Sequence, residues 1–551
     1  MTAEAESVRL ASGTLGAVEG QNQHAILWHL SNACINNEAG TANLPNRCAA
    51  ALRPSNAELP LWLTRDSLGA ATLYYTRVDD RLLFGTNAAE LALQTPQGLR
   101  ENPDFLRDLF TSGFPATPGA TAFQGVHEVL PGELICWDGV SLSRSRTAFD
   151  PTLRSRPRTL PQWVEAFLDC FRNAVERCIC GEQDLAIMLS GGLDSGPTAA
   201  LAQAATALGE RRFEAVSWSL EEFPECDESI WIRRLAREIG LPLRMFDGSS
   251  LLPFSRLSPE LMPSDYPSFN VFRELIDGCY SEAREGGFGI VLNAACGDQV
   301  YPEASMVAAD QFRRGRLVSA AALLMRSVQK NGIRGLSSNP DLRRLAALML
   351  APLRPVRARR SRPMPAWTPE ERRNLATPRL SDWPPELDDH PFPHHAAWLA
   401  GPGMFFGTAH ESGSMASRYG LERRDPFQDP ELIRLMWNLP AILGWKDGKE
   451  KWIMREAMRD ILPAWHLQKG RTGLLHRFHD RGRIVHRARI QEFLGDQRAV
   501  WQDWFQPEFI EAELATNPVD RRGEMALIHC IGYTLWRQKL NQLQRSQPPE
   551  A

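Results

Sequence analysis

Two kinds of hydrophobic pattern divide the chain. From about Val8 to Phe149, short apolar runs alternate with turn residues, as in "LPLWLTRDSLGAATLYYTRVDDRLLFGTN", which predicts a mostly antiparallel sheet. From "QWVEAFLDCFRNAVERCI" onward, apolar residues recur at helical spacing. The stretch between these regions, "FDPTLRSRPRTLP", is rich in Pro, Arg and Ser and is predicted to be a linker. We therefore expect one domain at residues 1–150 and a second at 151–551.

Strands and helices alternate at the start of the second domain. The predicted strands are "DLAIML", "FEAVSWSL" and "PLRMFD", and the helices between them are "DSGPTAALAQAATAL" and "DESIWIRRLAREIG". This alternation predicts βαβ units, and hence an α/β domain built on a parallel sheet with many helices. In such a sheet the ligand binds beyond the carboxyl ends of the strands.

The turn after the first of these strands is suited to an anion. It reads S-G-G-L-D-S, from Ser190 to Ser195, and precedes a predicted helix. Successive backbone N–H groups in such a turn form a concave anion site, and the helix dipole favours negative charge there. No Lys follows the glycines and the spacing is not G-x-G-x-x-G, so γ-phosphate transfer and dinucleotide binding are both disfavoured. The turn is therefore predicted to hold phosphate of another kind.

Charge and composition argue against a nucleic-acid partner and against a membrane span. The formal net charge of -4 provides no excess of positive charge, so a nucleic-acid partner is not expected. The N-terminus lacks a basic run followed by an apolar segment, and no apolar stretch is long enough to span a bilayer. These features predict a cytoplasmic enzyme without a membrane span.

The pattern S-G-G-x-D-S resembles the pyrophosphate loop of the ATP pyrophosphatases, enzymes that adenylate a substrate and release pyrophosphate. Four further stretches are similar to the asparagine synthetase family in the same order and spacing. They are the element Asp227-Glu228-Ser229, the loop in "IVLNAACGDQVY", the pattern E-x-R-x-P-F-x-D from Glu422 to Asp429, and "GKEKWIMREAMRDILPAWHLQKGRTGL". The resemblance covers roughly residues 160 to 480 and implies ATP and Mg²⁺ as cofactors.

The resemblance also implies a set of site residues. The predicted nucleotide contacts are Ser190, Gly191, Gly192, Asp194, Ser195, Ser217 and Ser219. Asp194 and Asp298 match the metal-binding carboxylates, and hard oxygen ligands suit Mg²⁺. Ala295 stands where the family has a glutamate. A catalytic cation is expected at Lys469 or Arg471: alignment without gaps puts Arg471 at the usual lysine, whereas a local shift puts Lys469 there.

The first domain resembles the N-terminal-nucleophile glutaminase domain of the same family, a β-sheet sandwich, in "RDSLGAATLYYTRVDDRLLFGTNAAELAL". Such a glutaminase needs a cysteine directly after the initiator methionine, and position 2 is Thr. With Met1 as the initiator, the nucleophile is missing at position 2, so we expect an inactive, degenerate glutaminase-like domain that serves as a scaffold.

An enzyme of this family without glutaminase activity needs another amine. β-Lactam synthetases, carbapenam synthetases and lasso-peptide cyclases activate a carboxylate as an adenylate and use an amine of the same molecule. The loop "CGDQVY" and a helical insert at about residues 305–400 resemble the lasso-peptide cyclases. That resemblance implies a precursor core peptide as substrate, supplied by a leader peptidase and a leader-binding protein. Two alternatives stay open. One is an enzyme that acts on a small acid, either by ammonia-dependent amidation or in the manner of a β-lactam synthetase, and the other is a non-catalytic nucleotide-binding scaffold of a maturation complex.

Two polar stretches have weaker functional signals. "DDHPFPHHAAW", with His390, His394 and His395, contains prolines and lacks partner ligands, so a surface loop is expected rather than a metal site. The basic stripe from Arg354 to Arg362 is read as a solvated linker, with attraction of an acidic peptide or protein as the alternative.

Overall fold

The computed structural model describes most of the chain outside its first 48 residues and the predicted insert. The described residues are 49–52, 60–66, 68–69, 71–112, 115, 117–146, 149–150, 152–153, 155–207, 209, 211–301, 307, 311–312, 315–322, 325, 365, 367–369, 414–446, 449–469, 474–515 and 521–546. Several predictions fall outside these residues: Thr2, most of the insert at 305–400, the Arg354–Arg362 stripe, the loop with His390, and Arg471.

Two antiparallel sheets form the N-terminal part. Their strands are β1 (Ala49–Leu52), β2 (Leu61–Arg65), β3 (Tyr74–Val78), β4 (Arg81–Gly85), β5 (His127–Glu128), β6 (Glu133–Trp137) and β7 (Leu142–Arg146). One sheet has the order β1-β2-β6-β7 and the other β4-β3-β5. Leu63 and Ile135 from the first sheet and Tyr75 from the second share one buried core. The expected antiparallel strands are present, and the glutaminase-like identity of this part stays a prediction.

A five-stranded parallel sheet forms the centre of the second part. Its strands are β8 (Leu185–Met188), β9 (Phe213–Ser219), β10 (Leu243–Asp247), β11 (Ile290–Leu292) and β12 (Glu422–Arg424). Their order is β10-β9-β8-β11-β12, and all neighbours run parallel. Leu185, Ala186 and Ile187 of the central strand β8 are fully buried, as expected for a strand covered on both faces. The parallel sheet predicted from the alternating pattern is confirmed.

Helices occur in both parts of the chain. They are α1 (Ala88–Ala92), α2 (Pro103–Ser112), α3 (Leu160–Ile179), α4 (Ser195–Thr206), α5 (Ser229–Glu238), α6 (Arg273–Glu285), α7 (Gly297–Val300), α8 (Pro430–Asn438), α9 (Trp452–Ala457), α10 (Ala464–Gln468), α11 (Leu474–Val485), α12 (Arg487–Asp496), α13 (Arg498–Trp501), α14 (Pro507–Ala515) and α15 (Arg521–Arg545); a two-stranded ribbon, β13 (Trp445–Lys446) and β14 (Lys449–Glu450), precedes α9. A capping box of Thr159 and Gln162 begins α3, whose buried face carries Trp163, Phe167 and Phe171. Within the described residues, no helix combines the length and apolarity needed to cross a bilayer.

The long helix α15 joins the two parts of the chain. The Tyr533 hydroxyl donates to Glu101 at 2.9 Å, and Arg537 lies 2.6 Å from the same carboxylate oxygen. The indole N–H of buried Trp536 donates to the Ser264 carbonyl at 2.8 Å. Apolar side chains between residues 74 and 126 therefore share one core with helices α12 to α15.

Asp265 is a partly buried carboxyl group at this contact. Its Oδ1 accepts from the Ala88 amide at 2.6 Å, where α1 begins. Burial raises the pKa of Asp265 from its ordinary 3.8 to about 7, although that amide lowers it. The folded protein thus keeps a proton that the unfolded chain releases. The stability gained from this proton is complete below about pH 4 and is lost as the pH rises through about 7.

We expect Asp265→Asn to be more stable than the wild type at pH 8, with a smaller difference at pH 5. Asparagine keeps an oxygen that accepts from the Ala88 amide and has no charge to bury. Because one pKa unit corresponds to about 1.4 kcal/mol, the gap between the two proteins should change by a few kcal/mol across this range. Urea unfolding at both pH values measures the change, and an equal gap at both would contradict an Asp265 that keeps its proton in the folded protein.

Candidate functional site

The predicted phosphate turn joins β8 to α4. Gly191 has a φ of +67°, a left-handed conformation that favours glycine. The Ser195 Oγ accepts from the Ser190 amide at 3.1 Å and lies 2.9 Å from the Ser190 Oγ. The Gly192 carbonyl accepts from the Gly196 amide at 3.0 Å, in the first turn of α4. The predicted glycines and hydroxyls therefore form a compact turn at a helix N-terminus.

Asp194 stands at the N-cap position of α4 but does not cap the helix. Its side chain accepts no hydrogen bond from the first turn, and Oδ2 instead contacts the Nζ of Lys451. Burial raises the pKa of Asp194 to about 6, while the Lys451 ammonium opposes this shift. Among the described residues, Oδ1 is buried without a hydrogen-bond partner. A buried carboxylate oxygen that no protein donor satisfies is suited to an ion that the protein takes up.

The Asp298 carboxylate approaches the same Lys451 ammonium from the end of β11, the strand next to β8. It lies in α7, after β11, and its Oδ1 is 2.6 Å from the Lys451 Nζ. Gly297 permits this approach, since a Cβ at that position would collide with Asp194. The structure thus brings the two predicted metal carboxylates together around one ammonium group.

Lys451 is a site residue that the sequence reasoning missed. Its backbone is left-handed, with φ 56° and ψ 38°, at the start of α9. Burial would lower the pKa of Lys451, but Asp194 and Asp298 together raise it above its ordinary value, so the side chain is charged. The Tyr301 ring lies 5.6 Å from Nζ. The signal available in the sequence was its place as the first residue of the K-x-x-x-R-x-A segment, which ends at Ala457.

This cluster fits a magnesium nucleotide. Within the described part of the chain, no group of three or more His, Cys, Asp or Glu residues could hold a metal by itself. Mg²⁺ usually takes one or two protein carboxylates and completes its shell with substrate phosphates and water. Asp194 and Asp298 supply the carboxylates, and the phosphate turn begins four residues before Asp194 at Ser190. The Mg²⁺ and ATP predictions are therefore compatible with the residues present.

Lys469 also reaches the phosphate turn. Its Nζ lies 3.3 Å from the Gly191 carbonyl oxygen and 3.2 Å from Glu228 Oε1. Arg455 holds the backbone here, because its guanidinium donates to the Lys469 carbonyl at 3.2 and 3.3 Å. The structure places Lys469 at the site, whereas the role of Arg471, outside the described residues, stays a prediction.

Ser217 and Ser219 lie at the carboxyl end of β9, but their hydroxyls donate within the sheet. Ser217 Oγ donates to the Leu189 carbonyl at 2.7 Å, and Ser219 Oγ to the Phe246 carbonyl at 3.4 Å. Each hydroxyl has a single proton, so only lone pairs are left for a ligand. These bonds tie the ends of neighbouring strands together beside the turn, and the predicted nucleotide contacts of both serines stay untested.

The E-x-R-x-P-F-x-D pattern has a supporting role. Arg424 pairs with Glu422 at 2.8 Å and donates to the Cys178 carbonyl at 3.0 Å, near the carboxyl end of α3. Asp429 caps α8 and pairs with Arg177 at 2.7 Å. The motif thus fastens β12 and α8 to α3, on which the sheet packs.

His466 packs against the first turn of α4. It is fully buried, and burial lowers its pKa to about 4, so the ring is neutral. Gly196 provides the room for this ring, because a Cβ there would lie 2.5 Å from His466 Nε2 and 3.2 Å from Leu235 Cδ2. A side chain at position 196 would therefore push His466 or the phosphate turn out of place.

We expect Gly196→Ala to lower the free energy of unfolding by about 1–3 kcal/mol, the usual cost of overpacking a core. The double variant Gly196→Ala/His466→Ala lacks the imidazole ring and should regain part of the lost free energy of unfolding. The matched control is Gly495→Ala in α12, where a Cβ meets no atom within 4 Å. Urea unfolding measures all three variants, and a Gly196→Ala protein as stable as the control would contradict this packing.

Comparisons with known proteins agree with the site. The family described as asparagine synthase matches residues 166–538. Asparagine synthetase 3 (glutamine-hydrolyzing) of Bacillus subtilis (strain 168) is 23% identical over 423 residues, 73% of this chain and 63% of the relative. Amidase chyE of Penicillium rubens is 26% identical over 240 residues, 41% of this chain and 35% of the relative. The chain thus spans less than two thirds of either relative's length. Because the family match covers more than half of the chain, from α3 into α15, and includes the phosphate turn and both carboxylates, this protein belongs to the asparagine synthase family.

Proposed function

We propose that this protein is an ATP-dependent ligase that adenylates a carboxylate and then joins it to an amine, with release of AMP and pyrophosphate. The observation that carries this proposal is the meeting of Asp194, Asp298 and Lys451 beside the phosphate turn. The family membership supports the same chemistry, since the Bacillus relative is named as an asparagine synthetase.

The first step requires an anionic carboxylate to approach an anionic phosphate. Lys451 and Lys469 place positive charge at the turn, where they offset this repulsion. Ser190 and Ser195 and the N-terminus of α4 bind the departing pyrophosphate. When bound at Asp194 and Asp298, Mg²⁺ would supply further charge neutralisation at the phosphates.

In the second step the amine nitrogen bonds to the acyl carbon, and the bond from that carbon to the phosphate oxygen breaks. Lys469 stabilises the oxyanion that develops on the carbonyl, and the enzyme otherwise holds the two groups close together. Ala295 cannot accept a proton, so the proton of the attacking amine passes to water or to phosphate.

The proposed substrate is the core peptide of a lasso-peptide precursor. An Asp or Glu side chain would be adenylated, and the N-terminal amine would attack it to form a macrolactam. The loop "CGDQVY" and the predicted insert support this assignment. A leader peptidase and a leader-binding protein would supply the cleaved peptide.

Mass spectrometry of candidate core peptides tests the proposal. Peptides with a free N-terminus and an Asp or Glu at the seventh to ninth position are incubated with the protein, ATP and Mg²⁺. We expect one peptide to lose one water while equal amounts of AMP and pyrophosphate appear. The Asp194→Asn variant serves as the catalytic control. If no peptide across the panel loses water, the peptide assignment is wrong.

The second candidate is amidation of a small acid with free ammonia, or ring closure of a small substrate as in the β-lactam synthetases. The Bacillus relative is named as an asparagine synthetase, which favours amidation. AMP formation that depends on ammonia and needs no peptide would support it. A protein that binds ATP but gives no exchange of pyrophosphate into ATP with any substrate would instead be a nucleotide-binding scaffold.

A further inference from the structure

The ammonium group of Lys451 occupies the space between the two predicted metal carboxylates. Its Nζ contacts Asp194 Oδ2 and lies 2.6 Å from Asp298 Oδ1. The Lys451 side chain is only 10% exposed, and the ring of buried Tyr301 covers it on one side. The ammonium is therefore held in this position rather than displayed to solvent.

A magnesium ion and this ammonium cannot use the same two oxygens together. Mg²⁺ needs its oxygen ligands at about 2.1 Å in near-octahedral geometry, and it keeps several waters that require room. At the present separations Nζ fills that room, and a divalent ion beside it would meet strong like-charge repulsion. Metal binding to Asp194 and Asp298 therefore requires Lys451 to move.

The backbone around Lys451 is suited to such a movement of the side chain alone. The left-handed conformation of a non-glycine residue persists where its surroundings fix it. Here α9 begins directly after Lys451, and Arg455 bonds the carbonyls of both Glu450 and Lys469. Rotation about the lysine side-chain bonds would carry Nζ from the carboxylates to a phosphate oxygen without displacing α9.

We propose that Lys451 is a resident counter-ion that reserves the metal position until nucleotide arrives, so that Mg²⁺ binds only together with ATP. The phosphates give the ammonium a new partner as the divalent ion takes over the two carboxylates. Without the lysine, Asp194 and Asp298 form a site for a divalent ion alone. This inference rests on the proposed function of the site and specifies its order of binding.

Divalent-ion titration in the absence of nucleotide tests the inference. Removal of the ammonium in Lys451→Met should create saturable binding of Mn²⁺. The loss of the free Mn²⁺ signal in electron paramagnetic resonance measures this binding. Mg²⁺ alone should raise the Tm of this variant by about 1–2 °C, the scale expected for a ligand of a large protein. The wild type and the control Lys449→Met, exposed on β14, should bind no ion at the same concentrations. In Lys451→Met/Asp194→Asn the gained binding should disappear.

The wild type provides a second measurement if Lys451→Met fails to fold. Protein alone should leave the free Mn²⁺ signal unchanged, and a non-hydrolysable ATP analogue should lower that signal further in the presence of the protein than the same analogue does without it. Saturable binding of Mn²⁺ to the wild type alone would overturn the inference, as would a folded Lys451→Met protein that binds none. These titrations need no acyl substrate, so their failure is distinct from a failure of AMP formation, which concerns the proposed function.

Discussion

Replacement of Asp194 with Asn should reduce ATP-dependent AMP formation by about a hundredfold to a thousandfold, in the range of other losses of transition-state charge stabilisation. The amide keeps the shape of the side chain but removes the charge that pairs with Lys451. It also replaces one carboxylate oxygen with an NH₂ group that cannot bind a metal. Asp194 is partly buried beside the turn, at the N-cap of α4.

Exchange of pyrophosphate into ATP measures the effect of this substitution on the first step alone. The assay contains the peptide or acid that supports AMP formation by the wild type. The matched control is Asp169→Asn, which removes a carboxylate that is 60% exposed on α3 and pairs with Arg172. The control should keep wild-type exchange and stability. Comparable exchange by Asp194→Asn and the wild type would exclude Asp194 from the adenylation step.

Replacement of Lys469 with Met should lower AMP formation by about a hundredfold, the usual effect of removing one charge-stabilising donor. Its Nζ is 3.3 Å from the Gly191 carbonyl oxygen, within the phosphate turn. Lys469→Arg keeps the charge in a different geometry and should recover part of the rate. Because the Arg455 contacts go to the Lys469 backbone, the substitution leaves the local fold intact.

Arg471→Met, measured in parallel, decides which of the two basic residues supplies the catalytic cation. If Lys469 does, Lys469→Met loses the rate of the second step while Arg471→Met keeps most of it. Binding of ATP, followed separately by calorimetry, distinguishes weaker binding from slower chemistry. Full activity in Lys469→Met with a large loss in Arg471→Met would assign the role to Arg471 instead.

The sheet was predictable from the sequence because local patterns carried the information. Strands β8, β9 and β10 are segments of four to seven residues rich in apolar side chains, separated by stretches with helical spacing. β12 is different: its residues Glu422 to Arg424 read E-R-R and lack any apolar run. Its place beside β11 depends on pairing with a strand more than 120 residues earlier, which no local pattern records.

The site was predictable only in part. The family resemblance indicated Asp194 and Asp298, and the structure places both after strands whose carboxyl ends meet at one edge of the sheet. Lys451 lies 257 residues from Asp194, and its side chain reaches the carboxylates through a left-handed backbone that sequence patterns do not encode for lysine. The charges of the E-x-R-x-P-F-x-D pattern were equally visible in the sequence, but their supporting contacts with α3 depend on the tertiary fold.

The core that α15 shares with the N-terminal part can be completed only after α15 has been synthesised, near the end of translation. Glu101 leaves the ribosome 436 residues before Arg537, its partner in the finished protein. At ordinary rates of translation this delay is roughly 20 to 90 s. During that time Leu106 and Phe110, which the finished protein buries, lack the cover that α15 provides. Nascent chains that stall before α15 therefore expose an apolar surface of the kind that aggregates and that chaperones bind.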